Sequence, residues 1–181
     1  MPKFRAIILD LDDTLYPERD YVLSGFRAVA RWLEPQLNLP AEQTSEELKQ
    51  LFDEGARINT FNTWLSTRQI DAEQAEQWVS GMLDIYRDHT PEISLSTEVV
   101  NVLEQLRRDS MLGLITDGRR QQQRKKVVAL DLARWFTAIV VSDELGQEHW
   151  KPSPKPYLTV LEQLNITAKE AIYVADNPTK D

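Results

Sequence analysis

The chain begins with a short apolar run, Phe4, Ala6, Ile7, Ile8 and Leu9, that stops abruptly at Asp10-Leu11-Asp12-Asp13-Thr14. Its length and its bounding acidic cluster predict a buried strand over residues 4–9. Over residues 17–90 the apolar positions change period. Tyr21, Val22, Phe26, Val29, Ala30 and Leu33 recur at helical spacing, Leu48, Leu51 and Phe52 mark a second helix after Pro40, and Ala72, Ala75, Trp78, Val79, Met82, Ile85 and Tyr86 mark a third, with Asp71 as its N-cap. Arg57 to Trp64 is polar and has no clear period. From about residue 96 helices and strands alternate. A helix carries Val99, Val102, Leu103 and Leu106, and a strand runs from Met111 to Thr116; a helix near 120–130 precedes a strand at Ala138–Ser142. A helix at 154–164 and a strand at Ala171–Ala175 follow. Strand, crossover helix and strand in succession predict an α/β fold with a parallel sheet, helices on both faces and a helical insertion after the first strand. The expected division is a catalytic core from 1–16 and 91–181 and a helical unit from 17–90. Asp181 comes six residues after Ala175, so the core is expected to be truncated at its C-terminus, because a core strand is normally covered on both faces.

Composition narrows the function. At 181 residues, 41% hydrophobic and 28% charged, the chain can bury one sizeable core plus a subdomain. A net charge of −8 with scattered Lys and Arg argues against nucleic-acid binding, which needs clustered cations on phosphates. With no cysteine, disulfides, thiolate catalysis and thiolate metal sites are excluded. A signal peptide and a long apolar span are both missing from the pattern, which predicts no membrane partner and a cytoplasmic location.

The candidate chemistry lies at strand ends. Asp10 and Asp12, two apart in extended chain, leave on the same side while Leu11 points away, which puts two carboxylates around one small site. Neighbouring anions repel unless a cation joins them, and oxygen ligands suit Mg²⁺. Thr116 closes an apolar strand with a hydroxyl, and Asp117-Gly118 then makes a turn whose N–H groups can face an anion ahead of the next helix. Lys151 stands in the stiff sequence Lys-Pro-Ser-Pro.

Four segments in order, Ile8-Leu9-Asp10-Leu11-Asp12-Asp13-Thr14-Leu15, Gly113-Leu114-Ile115-Thr116-Asp117-Gly118, Lys151-Pro152-Ser153-Pro154 and Tyr173-Val174-Ala175-Asp176-Asn177-Pro178-Thr179-Lys180-Asp181, resemble the motifs of the haloacid dehalogenase superfamily of phosphohydrolases. The resemblance spans nearly the whole chain. It implies a Rossmann-like core with an α-helical cap inserted after the first strand. It implies Asp10 as the nucleophile that forms an aspartyl-phosphate, and Asp12 as the acid that protonates the leaving group and then the base that activates water. Thr116, Asp117, Gly118 and Lys151 would bind the phosphoryl group, and Asp10, Asp12, Asp176 and Asp181 would hold Mg²⁺. Asp13 has a structural role in this reading. Ala175 stands where many relatives carry Gly, and Gln147-Glu148-His149-Trp150 lengthens the usual connection, with Trp150 expected to pack under it.

The superfamily's dehalogenases lack a carboxylate at the position of Asp12, so the resemblance implies phosphoryl transfer. The expected activity is a Mg²⁺-dependent phosphatase for a small phosphorylated metabolite, a sugar phosphate or nucleoside monophosphate. The alternatives are a phosphomutase of the same superfamily and a noncatalytic, phospho-accepting receiver-like module. Arg57, Asn59, Asn62 and Trp64 are the candidate specificity residues of the cap, with Tyr16 and Arg19 as further candidates beside the catalytic loop.

Overall fold

In the computed structural model, which describes residues 4–68 and 70–179, four short apolar runs pair in parallel. They are β1 (Ala6–Leu9), β2 (Met111–Thr116), β3 (Ala138–Val141) and β4 (Ala171–Val174), in the order β3-β2-β1-β4. Because the strands are parallel, every carboxyl end lies at the same edge of the sheet. Leu9 is in register with Leu114 on one side and Val174 on the other, so the polar residues that follow them emerge side by side.

The chain divides into two compact units. Residues Met1–Glu18 and Glu92–Asp181 make the first, and Arg19–Pro91 make the second. In the first, α5 (Thr97–Asp109), α6 (Arg120–Ala129) and α7 (Lys155–Leu164) are the crossovers between strands. Ala6, Ile8, Ile115, Ala138 and Val140 pack with Val160 and Leu164 of α7. By the alternation of a strand, Leu9, Leu112 and Leu114 look to the opposite face, where they are also buried. A sheet buried on both faces explains why these strands read as continuous apolar runs. On β4, Ala171 and Tyr173 join the α7 face, whereas Ile172 and Val174 remain 39% and 44% exposed.

The second unit contains α1 (Glu18–Leu37), α2 (Ala41–Asp53), α3 (Thr60–Ser66) and α4 (Ala72–Asp88). Phe26, Val29 and Leu33 on α1, Leu48 on α2, Phe61 and Trp64 on α3 and Met82 on α4 form its core. Asp71 does cap α4, its Oδ1 accepting from the N–H of Gln74 at 2.9 Å. The structure departs from the sequence expectation at α3. The segment read as aperiodic contains a two-turn helix, too short for a period to register, whose Phe61, Trp64 and Leu65 turn inward. Among the described residues no helix is long and apolar enough to cross a membrane.

Candidate active site

The loop after β1 is bent to aim its carboxylates. Leu15 N–H donates to the Leu11 carbonyl and Asp13 N–H to the Tyr16 carbonyl, both at 2.9 Å. Asp13 sits in left-handed backbone (φ 56°) and its Oδ1 accepts from the N–H of Glu18 at 2.8 Å. Its carboxylate thus braces the entry to α1. Leu11 is fully buried, while Asp10 and Asp12 border a polar cleft of about 200 Å³ together with Thr116, Asp117, Lys151, Asp176 and Asn177. Four strand ends therefore converge on one small opening, as open parallel sheets do at their carboxyl edge.

Lys151 is buried and its Nζ donates to Asp10 Oδ1 at 2.7 Å and to the Tyr173 hydroxyl at 2.9 Å. An ammonium in this position would face both the nucleophile and the negative charge of a phosphoryl group. Asp117 has a part for its side chain beside the main-chain one that the sequence suggested. Its Oδ2 accepts from the Lys151 main-chain N–H at 3.0 Å, so the carboxylate braces the lysine loop, and an anionic side chain repels a phosphate. Any phosphate contact from Asp117 would come from its main chain. Gly118 has φ 129°, and a Cβ there would lie 3.1 Å from the Gln123 side chain, so the turn that opens α6 needs glycine.

Asp12 is heavily engaged. Its Oδ1 accepts from the Tyr16 hydroxyl at 2.6 Å and from Lys126 Nζ at 2.8 Å; its Oδ2 accepts from Lys126 Nζ at 2.9 Å and Gln123 Nε2 at 3.0 Å. Those four contacts, from three donor groups, match the four lone-pair sites of a carboxylate. A metal bond to the Asp12 carboxylate would have to displace one of them, which leaves the main-chain carbonyl as the oxygen through which Asp12 could join the expected metal set. The reason lies on α6, whose Gln123 and Lys126 were not singled out in the sequence. Both are buried and three residues apart, a spacing that puts them on one helix face. Two polar side chains on the core-facing side of a helix were the available signal.

The donor chemistry of the cleft fits a hard cation. Asp10, Asp176 and Asn177 bring oxygen ligands and no sulfur or imidazole, and Mg²⁺ commonly takes one or two carboxylates, substrate phosphate and water. Among the described residues no cluster of three or more His, Cys, Asp or Glu side chains is poised to enclose a metal. Asp181, expected as a fourth metal ligand, lies outside the described residues.

The expected specificity residues lie in the helical unit and divide into two kinds. Arg57, Asn59 and Asn62 are exposed, Arg57 with its guanidinium 5.4 Å from the Phe52 ring centre. Trp64 is 1% exposed, its indole N–H donates to Glu47 Oε2 at 2.8 Å, and the Arg68 guanidinium lies 3.3 Å from its ring centre. It is a core side chain with no face to offer a ligand, which corrects its placement among specificity residues. Arg19 is held by Asp53 at 2.7 and 2.9 Å, and Tyr16 is buried on Asp12. Trp150 is half-buried, and its indole N–H donates to Asp143 Oδ1 at 3.2 Å.

Residues 7–181 match the model of the haloacid dehalogenase-like hydrolase family. The chain belongs to that family. A glyceraldehyde 3-phosphate phosphatase of Methanopyrus kandleri is 30% identical over 98% of this chain and 77% of its own length. An N-acylneuraminate-9-phosphatase of Rattus norvegicus is 25% identical over 100% of this chain and 77% of its own. Among solved structures, a 2-haloacid dehalogenase from Pseudomonas syringae superposes with a TM-score of 0.61 at 26% identity, covering 97% of this chain and 79% of that one. A haloacid dehalogenase superfamily hydrolase from Geobacter sulfurreducens gives 0.69 at 20% identity, covering 97% and 79%. The Rossmann-like parallel sheet is the family's, and the chain is a haloacid dehalogenase-like phosphoric monoester hydrolase.

Proposed function

We propose that this hydrolase cleaves a small phosphorylated metabolite with Mg²⁺, through a phosphoryl group carried on Asp10. The observation that carries the reading is the buried Asp10–Lys151 pair beside Asp12 at the carboxyl edge of the sheet. Asp10 attacks phosphorus and the ester P–O bond breaks as the Asp10 carboxylate oxygen bonds to phosphorus. Asp12 gives its proton to the departing oxygen. Asp12, now ionised, then takes a proton from the water that attacks the aspartyl-phosphate, which releases inorganic phosphate and restores Asp10. Lys151 and the Thr116 hydroxyl balance charge on the phosphoryl oxygens. Asp10 and Asp176, with Asp181 and the Asp12 main-chain carbonyl, would hold Mg²⁺, which when bound would supply positive charge against the phosphoryl oxygens. A relative of known structure from Bacillus subtilis is described as bound to magnesium, which supports the same cation here.

A cleft of about 200 Å³ falls below the 300–1,000 Å³ typical of pockets for drug-sized ligands. It suits the phosphoryl group and leaves recognition of the rest of the ester to other residues. We assign that task to the helical unit as a cap, with exposed Arg57, Asn59 and Asn62 as its polar contacts. Several relatives are named glyceraldehyde 3-phosphate phosphatases, which favours a short sugar phosphate.

The test is phosphate release from glyceraldehyde 3-phosphate, larger sugar phosphates and nucleoside monophosphates, with Mg²⁺ and with chelator, beside Asp10→Asn. Turnover that disappears in the variant and with chelator is the expected result. Isomerised sugar phosphate without free phosphate would mean a mutase, and a folded chain with a stable phosphoprotein and no turnover would mean a phospho-accepting module.

A further inference from the structure

Lys126 is buried on α6 with its ammonium on both oxygens of Asp12, at 2.8 and 2.9 Å, and its side chain is 3% exposed. Neighbouring Gln123, three residues earlier on the same face, donates to Asp12 Oδ2 at 3.0 Å and also to the Thr116 hydroxyl. An ammonium taken out of water is costly unless it is paired and hydrogen-bonded. An apolar side chain at this position of α6 would have served the core with no such cost. The ammonium is spent on orientation: with Tyr16 on Oδ1 and Gln123 on Oδ2, the Asp12 carboxylate is held from three directions.

We propose that Lys126 is a positioning residue for phosphoryl transfer, holding Asp12 in the orientation from which it protonates the leaving oxygen. The inference rests on the reading of Asp12 as the general acid. When Asp12 carries its proton, the protonated oxygen gives up one of the donors it holds in the structure and turns that proton to the ester oxygen, while the other oxygen still accepts from Lys126. As the ester P–O bond breaks and the Asp10–phosphorus bond forms, the proton passes from Asp12 to the leaving oxygen. Asp12, left as a carboxylate, is then held by Lys126 through both oxygens. Gln123 links this group to Thr116, so the acid and a phosphate-binding hydroxyl are fixed to one helix face.

The experiment compares kcat/KM on two kinds of ester, because kcat/KM reports the step that expels the leaving group. An alkyl phosphate needs its leaving oxygen protonated; 2,4-dinitrophenyl phosphate expels a stable phenolate and does not. For Lys126→Met the expected result is a loss of about 10²-fold on the alkyl ester, within the range general acids contribute, with the dinitrophenyl ester retained within about threefold. Asp12→Asn should show the same selectivity more strongly, and melting curves report folding. Should the Met variant fail to fold, Lys126→Gln, which keeps a polar terminus at the buried position, is read for the same ratio. Equal losses on both esters would make Lys126 a merely structural ion-pair partner and overturn the proposal, as would no loss on either. Asp12→Asn separates the two ideas. If it discriminates the esters and the Lys126 variant does not, the positioning proposal alone fails; if Asp12→Asn does not discriminate, the reading of Asp12 as acid fails and this proposal falls with it.

Discussion

Asp10 and Lys151 are each nearly dry, and the value of their pair lies in the cost of separating it. With Lys151 replaced by Met, Asp10 keeps its burial and loses the ammonium at 2.7 Å. Removing one partner of a buried pair typically destabilises by about 3–5 kcal/mol, whereas replacing both by neutral groups is often close to neutral. The single variant Lys151→Met should therefore unfold at clearly lower urea and be inactive. The double variant Asp10→Asn with Lys151→Met should recover most of the stability and none of the turnover. Recovery of stability without activity would show a pair kept for chemistry; a double variant as unstable as the single would show that Lys151 is held mainly by its other contacts. Tyr173→Phe removes only the hydroxyl that accepts from Lys151 at 2.9 Å and should cost about 1 kcal/mol, the usual net worth of a hydrogen bond. Asp10 stood out in the sequence because it directly follows an apolar strand, and Lys151 because of its stiff Lys-Pro-Ser-Pro setting. Lys126 and Gln123 did not, since what marks them is burial, and a polar residue on a helix reads as solvent-facing until its neighbours are placed.

The same distinction separates the elements that the pattern revealed from those it concealed. β1 to β4 and α1, α2, α4, α5 and α7 each carry an apolar run or stripe that tertiary packing uses directly, so their periods were visible. α3 was missed because seven residues contain fewer than two full periods. α6 was placed, but its task was hidden by Gln123 and Lys126 on its inward face. Trp64 misled because its ring is covered by Arg68, four residues on, and its N–H by Glu47, a partner that only the packing of α2 against α3 supplies. Glu47 is itself tuned by this packing: burial pushes its carboxyl up, and hydrogen bonds from Gln43, Arg68 and Trp64 outweigh it and hold the carboxyl below its ordinary value. Gly113 tests whether the sheet and α7 fit as tightly as the structure places them. A Cβ at this position of β2 would meet Val160 at 2.9 Å, Leu164 at 3.2 Å and Ile8 at 3.3 Å. Gly113→Ala should destabilise by about 1–3 kcal/mol through overpacking, read as a lower urea midpoint with an unchanged slope. A variant as stable as the parent would show that α7 can shift outward without loss.

Charge acts on the molecule as a whole. With a net charge of −8, the surface repels a phosphate ester, and the carboxylates at the cleft add to that field. Mg²⁺ should therefore stabilise the fold as well as serve the reaction. At a free concentration 100 times its Kd a ligand that binds only the folded chain contributes about 2.7 kcal/mol, so the melting temperature should rise with Mg²⁺, and the rise should shrink in Asp176→Asn. A pair remote from the cleft gives the pH dependence. Arg5, just before β1, donates to Glu170 Oε1 at 2.6 Å, and the Arg5 N–H donates to the Glu170 carbonyl at 2.7 Å, which ties the start of β1 to the turn that opens β4. The Arg5 hydrogen bond, with those from the main chain and side chain of Thr167, lowers the Glu170 carboxyl from 4.5 to about 2. A lowered carboxyl contributes stability in its ionised form, so the contribution is complete above pH 4.5 and is lost as the pH falls toward about 2. Glu170→Gln should melt below the parent at pH 7, and the gap should narrow progressively as the pH is taken below 4.5. The pair is partly exposed, so added salt at pH 7 should narrow the same gap by screening. A gap that ignores both pH and salt would mean that the main-chain link, and not the charge, joins β1 to β4.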